Sequence, residues 1–388
     1  MGQNVLTRTR VILLLLVASA AAVYFAAAFP DAVLAGDALD YRGLMIEMFD
    51  GNVPYVDLSY PHLPLMLVPM SLAWLIGGSR DLQAYAFALA AISTVIIVGT
   101  GLILRRIEQG FAINDLTARW MILTVPGLPF LLFRNDPWVV FLAVAGILLS
   151  FQGRKVASVL TLGAGVLAKG WPGLWTPVEW RRGNRWAALG LATFTLLSVA
   201  ILLSPPLQSA QDSRGTHTET VAGSVTGLAR SLDGSALQLE RSAAVYIRGP
   251  WWLLMINVAF GGLIALSAVR GMRSPFELTR SWQLMGALTA ALIVASPFFS
   301  TQYVAWLSPF AAVDRRATAV MFPVNVASLV LLTSWHQMFE GAIWWWGLLV
   351  VRNFLFIIVG VYLGLSSTEH GSRLGGQGRS SDGVGEGS

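Results

Sequence analysis

No cysteine occurs anywhere in the 388 residues. That excludes disulfides and thiolate metal sites. Charge is scarce as well: 12% of residues are charged and 55% are hydrophobic, where a soluble domain carries about 25% charged residues. Lysine appears only at Lys155 and Lys169. The arginines sit singly or in pairs between apolar runs, so the high pI reads as membrane-flanking anchors and not as a nucleic-acid surface. Histidines are few, and His62, His217 and His336 show no metal-helix spacing. The alternating segments of about ten residues that build a β-barrel are missing. So is the internal repeat expected of many transporters.

What the chain does have is apolar runs long enough to cross a bilayer, which takes about 20 residues as helix. Candidate spans fall at 11–29, 62–77, 82–104, 119–133, 138–151, 156–178, 186–204, 250–269, 282–297, 302–313, 317–333 and 342–365. They predict an all-α, polytopic transmembrane bundle of 10 to 12 spans over residues 1–365. The first run is too long for a signal-peptide core and is expected to remain as an uncleaved span. Several runs are broken by Pro126, Pro129, Pro172, Pro177 and Pro309. Such breaks persist in a membrane where protein or water covers the freed backbone groups.

Arg8 and Arg10 place the N-terminus in the cytoplasm of a cell membrane. The loops with Arg181, Arg182 and Arg185, with Arg270, Arg273 and Arg280, and with Arg315 and Arg316 follow it inside. The first loop, 30–61, and the long loop, 205–249, fall outside. Arg105–Arg106 and Arg154–Lys155 fit this count badly, because both land outside. The tail 366–388 is rich in Gly and Ser and is expected to be a disordered cytoplasmic segment.

The first outer loop holds an unusual share of the acids. Asp31, Asp37, Asp40, Glu47, Asp50 and Asp57 are six of only 21 in the chain. Residues 38–50 have helical period, with Tyr41, Leu44, Met45, Met48 and Phe49 on one stripe. A short amphipathic helix on the outer membrane surface is the expectation. Asp37 can cap it, with Asp40 at the third helical position. A carboxylate held beside the bilayer also suits a general base that takes a proton from a sugar hydroxyl. The two roles are compatible.

The loop carries Asp37-x-x-x-Tyr41, then Gly51-x-x-Pro54-Tyr55-x-Asp57, then Tyr60-Pro61 opening the next span. This order resembles the GT-C superfamily of glycosyltransferases, and within it the family 87 polyprenol-phosphate-mannose-dependent mannosyltransferases. That family continues Tyr-Pro-Pro, where this chain has Tyr60-Pro61-His62. Ser296 to Pro309, SPFFSTQYVAWLSP, is similar to the family's Ser-Pro-Gln-Tyr-x-x-Trp-x-x-Pro, with three extra residues before Gln302. Leu237-Gln238-Leu239-Glu240 resembles Leu-Gln-x-Glu-Ser, with Arg241 in place of the serine. Arg134-Asn135-Asp136 and Lys169-x-x-Pro172 stand where such proteins carry polar breaks.

The resemblance implies a GT-C-type fold with an extracytoplasmic active site. It implies transfer of a sugar, mannose by family, from a polyprenyl-phosphate donor to a cell-envelope lipid or glycan acceptor, with inversion. Asp37 is then the general base. Asp57, Tyr60, Gln238, Glu240, Gln302 and Tyr303 are expected to bind sugar or acceptor. Arg241 and Arg248 are expected to hold the departing phosphate through the arginine fork, although anchoring at the interface explains them equally plainly. Lys169 sits inside an apolar run, where a charge implies a role. No cofactor is required; a divalent ion on Asp37 and Asp57 is allowed but not needed. Most of the 15 tryptophans are interfacial belts, with Trp306 a candidate for stacking on a sugar. The competing class is a transporter or lipid-linked sugar flippase.

Overall fold

The structure, a computed structural model, describes residues 7–28, 37–58, 63–78, 81–111, 113–203, 216–235, 239–241, 245–247, 252–273, 277–297 and 299–366. The chain folds as a helical bundle. Its helices are α1 (Arg8–Ala28), α2 (Asp37–Phe49), α3 (Leu67–Ala73), α4 (Leu82–Phe111), α5 (Leu116–Thr124), α6 (Leu128–Leu131), α7 (Asp136–Phe151), α8 (Lys155–Lys169), α9 (Thr176–Arg181) and α10 (Arg185–Leu202). The second half adds α11 (Val221–Asp233), α12 (Trp252–Gly271), α13 (Leu278–Ala295), α14 (Val304–Ala311), α15 (Arg315–Thr333) and α16 (Ile343–Leu365).

Among the described residues six helices are long and apolar enough to cross a membrane: α1, α4, α10, α12, α15 and α16. Shorter apolar helical stretches run over Pro64–Gly77, Leu116–Leu131 and Asp136–Phe151. The helices also turn large apolar side chains outward. Val17, Leu196 and Leu266 are each about 70% exposed, which suits hydrocarbon and not water. Each expected span therefore has a helical counterpart, but fewer of these helices than expected can cross alone. The prolines explain part of the difference. Val125–Gly127 and Trp171–Trp175 tighten into 3₁₀ turns at Pro126 and Pro172 and divide their runs into short pieces.

One expectation needs correction, and one small feature is added to the all-helical bundle. Arg105–Arg106 do not form a loop: both lie inside α4, where Arg105 is buried and pairs with Glu108 at 3.0 Å. Three short strands, β1 (Thr216–His217), β2 (Leu239–Arg241) and β3 (Val245–Ile247), form an antiparallel sheet in the order β1-β3-β2. Leu239 of β2 and Val245 of β3 pack against one buried apolar cluster. Ile247 is fully buried in a cluster with Leu331, Trp345, Trp346 and Leu349, which docks the long loop on α15 and α16.

Small residues let the second-half helices approach closely. An added Cβ at Gly261 of α12 would lie 2.6 Å from Ala295 Cβ of α13, and one at Gly364 of α16 would run into Ser267 Oγ of α12. Arg280 locks the same three helices at one end. Its guanidinium donates to the carbonyls of Gly271 (3.4 Å), Leu363 (3.0 Å), Gly364 (2.5 Å) and Ser366 (2.6 Å). These are the last carbonyls of α12 and α16, left without partners by their helices.

Candidate functional site

Asp37 begins α2, as the acid at its first turn. The stripe below it faces protein. Tyr41 and Met45 pack with Met70 of α3 and Tyr85 and Leu89 of α4, and Phe49 turns out and stacks on Trp74 at 5.3 Å. The helix therefore rests on α3 and α4 through the face expected to lie on the bilayer, because those helices offer apolar partners for it. Asp37 Oδ2 accepts from Arg134 Nη1 at 2.5 Å and from the Tyr41 hydroxyl at 3.2 Å. Both ionic side chains remain partly accessible, 18% for Arg134 and 23% for Asp37.

Arg134 stands in the turn that precedes α7, and Asp136 opens that helix with Pro137 behind it. Helices α7 and α8 form a hairpin of nearly equal arms, 16 and 15 residues. The start of α7 is thereby brought to the end of α8. There Lys169 Nζ meets Asp136 Oδ1 at 2.7 Å. The pair suits both dipoles, an acid at a helix start and a base at a helix end. Gly170, at φ +75°, stops α8 just beyond Lys169. Asp136 Oδ1 also accepts from Trp306 Nε1 at 2.7 Å. Lys169 lies 4.9 Å from the ring centres of both Tyr303 and Trp306.

Trp306 is buried, with Trp171 stacked at 5.5 Å and Tyr303 at 4.2 Å. Its ring is thus taken up by protein and is not open to a sugar. Tyr303 is half-buried. Gln302 is buried and accepts from the Ser300 hydroxyl. Asp57 is exposed, and its Oδ2 accepts from the Val53 amide at 2.8 Å, closing its own turn. The structure thus brings together Asp37, Lys169 and Tyr303 with Arg134 and Asp136. Tyr60, Gln238 and Arg248 lie outside the described residues, and Glu240 and Arg241 are described only as backbone of β2.

A second network adjoins the first. Glu219 follows β1, and its carboxylate accepts from the Thr301 hydroxyl and from Arg352 Nη1 at 3.4 Å. Asn353 and Arg352 donate to the Glu219 carbonyl at 3.0 and 3.2 Å. Arg352 is fully buried in α16, 4.6 Å from the Phe299 ring centre. The two networks share a field. Burial presses the Arg134 guanidinium down, but Asp37, Tyr41, Asp136 and Glu219 outweigh it and hold it above its ordinary range. His217 is buried beside Glu219, and its Nδ1 accepts the Glu219 amide at 3.3 Å. Burial holds the imidazole below its ordinary value, against the pull of Glu219 and the Phe299 backbone.

Sequence reasoning passed over Glu219 and Arg352. Arg352 was detectable: it interrupts the apolar run of α16 as Lys169 interrupts its own. Among the described residues no three of His, Cys, Asp and Glu gather as a metal site would need. A shallow cleft of about 300 Å³ beside Asp115, Arg119 and Arg315 is a different feature. Its Arg119 is committed to the carbonyls of Ala312 at 2.7 Å and Asn114 at 2.5 Å. No family model, no curated protein and no solved structure matches this chain.

Proposed function

We propose that the protein is a membrane glycosyltransferase of GT-C type that uses a polyprenyl-phosphate sugar, with Asp37 as general base. The observation that carries this reading is the accessible Asp37–Arg134 pair, with the Lys169–Asp136 pair beside it. A glycosyl phosphate needs an acceptor-side base and cations for its leaving group. The C1–O bond to phosphate breaks as the acceptor oxygen bonds C1 from the opposite face. The acceptor proton goes to the Asp37 carboxylate, and the bonding pair leaves on the phosphate. Arg134 and Lys169 supply positive charge where that pair arrives, as preorganised electrostatic stabilisation requires. Mannose is the sugar suggested by the family resemblance, and the acceptor is a cell-envelope lipid or glycan.

The test is direct. Membranes containing the protein are incubated with a panel of radiolabelled polyprenyl-phosphate sugars and an envelope lipid extract. Label should move into an acceptor from one or more donors and should fail to move in membranes lacking the protein. Absence of transfer across the panel, with the protein inserted and folded, overturns the proposal.

A further inference from the structure

Asp37 and Arg134 occupy each other. Oδ2, the carboxylate oxygen that holds Arg134, also takes the Tyr41 hydroxyl. That oxygen is poorly placed to accept a proton while so engaged, and a guanidinium so engaged is poorly placed to receive a phosphate. Resting on the transferase reading, we infer that the donor's phosphate switches Arg134 from Asp37 to itself and thereby releases the base. Arg134 then binds the phosphate and, by doing so, makes Asp37 available when donor is seated.

The surroundings favour such an exchange. Arg134 sits among Asp37, Asp136 and Glu219, but Arg134, Lys169 and Arg352 match these acids one for one, so an incoming phosphate meets no net negative charge. Asp136 and Glu219 are themselves held, by Lys169 and Trp306 in the first case and by Arg352 and Thr301 in the second. Asp37, by contrast, is held by Arg134 and one tyrosine. It sits at the end of a short helix and keeps 23% of its side-chain surface. The donor's phosphodiester carries the same single charge as the carboxylate, and its two free oxygens offer the guanidinium a bidentate fit. Exchange of one charge-assisted bond for a better one frees Oδ2 without leaving Arg134 unpaired.

The exchange predicts competition that a binding cycle can read without any transfer. The full chain in nanodiscs is titrated with farnesyl phosphate, wild type against Asp37→Asn, Arg134→Gln and the double variant. Removing the internal competitor should tighten binding in Asp37→Asn about tenfold, while Arg134→Gln weakens it. In the double variant the gain from Asp37→Asn should vanish. Asp50→Asn, which removes an exposed acid one residue beyond the end of the same helix, controls for net charge and should change binding less than twofold. An equal gain in Asp50→Asn, no gain in Asp37→Asn, or a gain that persists without Arg134 overturns the switch. Failure of wild type and Asp37→Asn alike to bind farnesyl phosphate instead overturns the donor class on which the switch rests.

Discussion

Lys169 and Asp136 meet at 2.7 Å across the mouth of a helical hairpin, and the aspartate is wholly buried. Its other oxygen, Oδ2, has no protein partner. Lys169 is the aspartate's direct ion-pair partner through Oδ1, with Trp306 Nε1 on the same oxygen. Removing one member of a buried pair costs about 3–5 kcal/mol, because the other charge is stranded. Lys169→Met is expected to lose that much in detergent unfolding followed by tryptophan fluorescence. Lys169→Met with Asp136→Asn should recover at least half of it. Equal losses in the single and double variants would show that the two groups are energetically independent.

The two roles of Asp37 separate under one substitution. As a structural residue Asp37 accepts from Arg134 and Tyr41, which the oxygen of asparagine can also do, but asparagine cannot take the acceptor's proton. General-base contributions are about a hundredfold to ten-thousandfold. Asp37→Asn is expected to lower transfer by that range while expression and thermal stability stay near wild type. Asp40→Asn should transfer normally. Full activity in Asp37→Asn would leave the reaction without this base.

His217 predicts an acid sensitivity. Its folded pKa is depressed by burial, so the unfolded chain binds the extra proton first. Stability from the neutral imidazole is complete above the unfolded value, about 6.5, and is lost as pH falls from there toward the folded value. The melting temperature should drop between pH 7.5 and 5.5 in wild type and drop less in His217→Gln. Parallel pH profiles for the two proteins would move the acid sensitivity elsewhere.

The common site also predicts a common side. Asp37 and Glu219 both bear on Arg134, so the segments carrying them must face the same compartment. The chain has no cysteine of its own, so single cysteines report cleanly. Asn52→Cys and Ser235→Cys, both at exposed positions, should react with an impermeant maleimide from the same side of sealed cells. Labelling from opposite sides would dismantle the site.

Much of this architecture is legible in the residues, and the remainder has identifiable causes. Apolar runs announced the helices, and prolines at 126 and 172 announced where they break. Asp37 and Lys169 stood out because acid clusters and buried charges are rare in such a chain. Their partners did not stand out. Arg134 lies 97 residues from Asp37, and Glu219 lies 133 from Arg352; no local pattern links such positions. The Lys169–Asp136 pair was closer to view, since equal hairpin arms bring 136 and 169 together. Trp306 misled because an aromatic near a polar motif reads the same whether its face is open or covered. The strands of the long loop were missed because two- and three-residue segments are too short for alternation to register.

Arg280 holds the final carbonyls of α12 and α16 with one planar group. That makes Ser366 a practical boundary for protein engineering. A fluorescent reporter or affinity handle spliced after it leaves all four carbonyl moorings intact. A chain cut back before Leu363 would leave this buried cation only the long contact to the Gly271 carbonyl, and three helix ends would lose their common fastening at once.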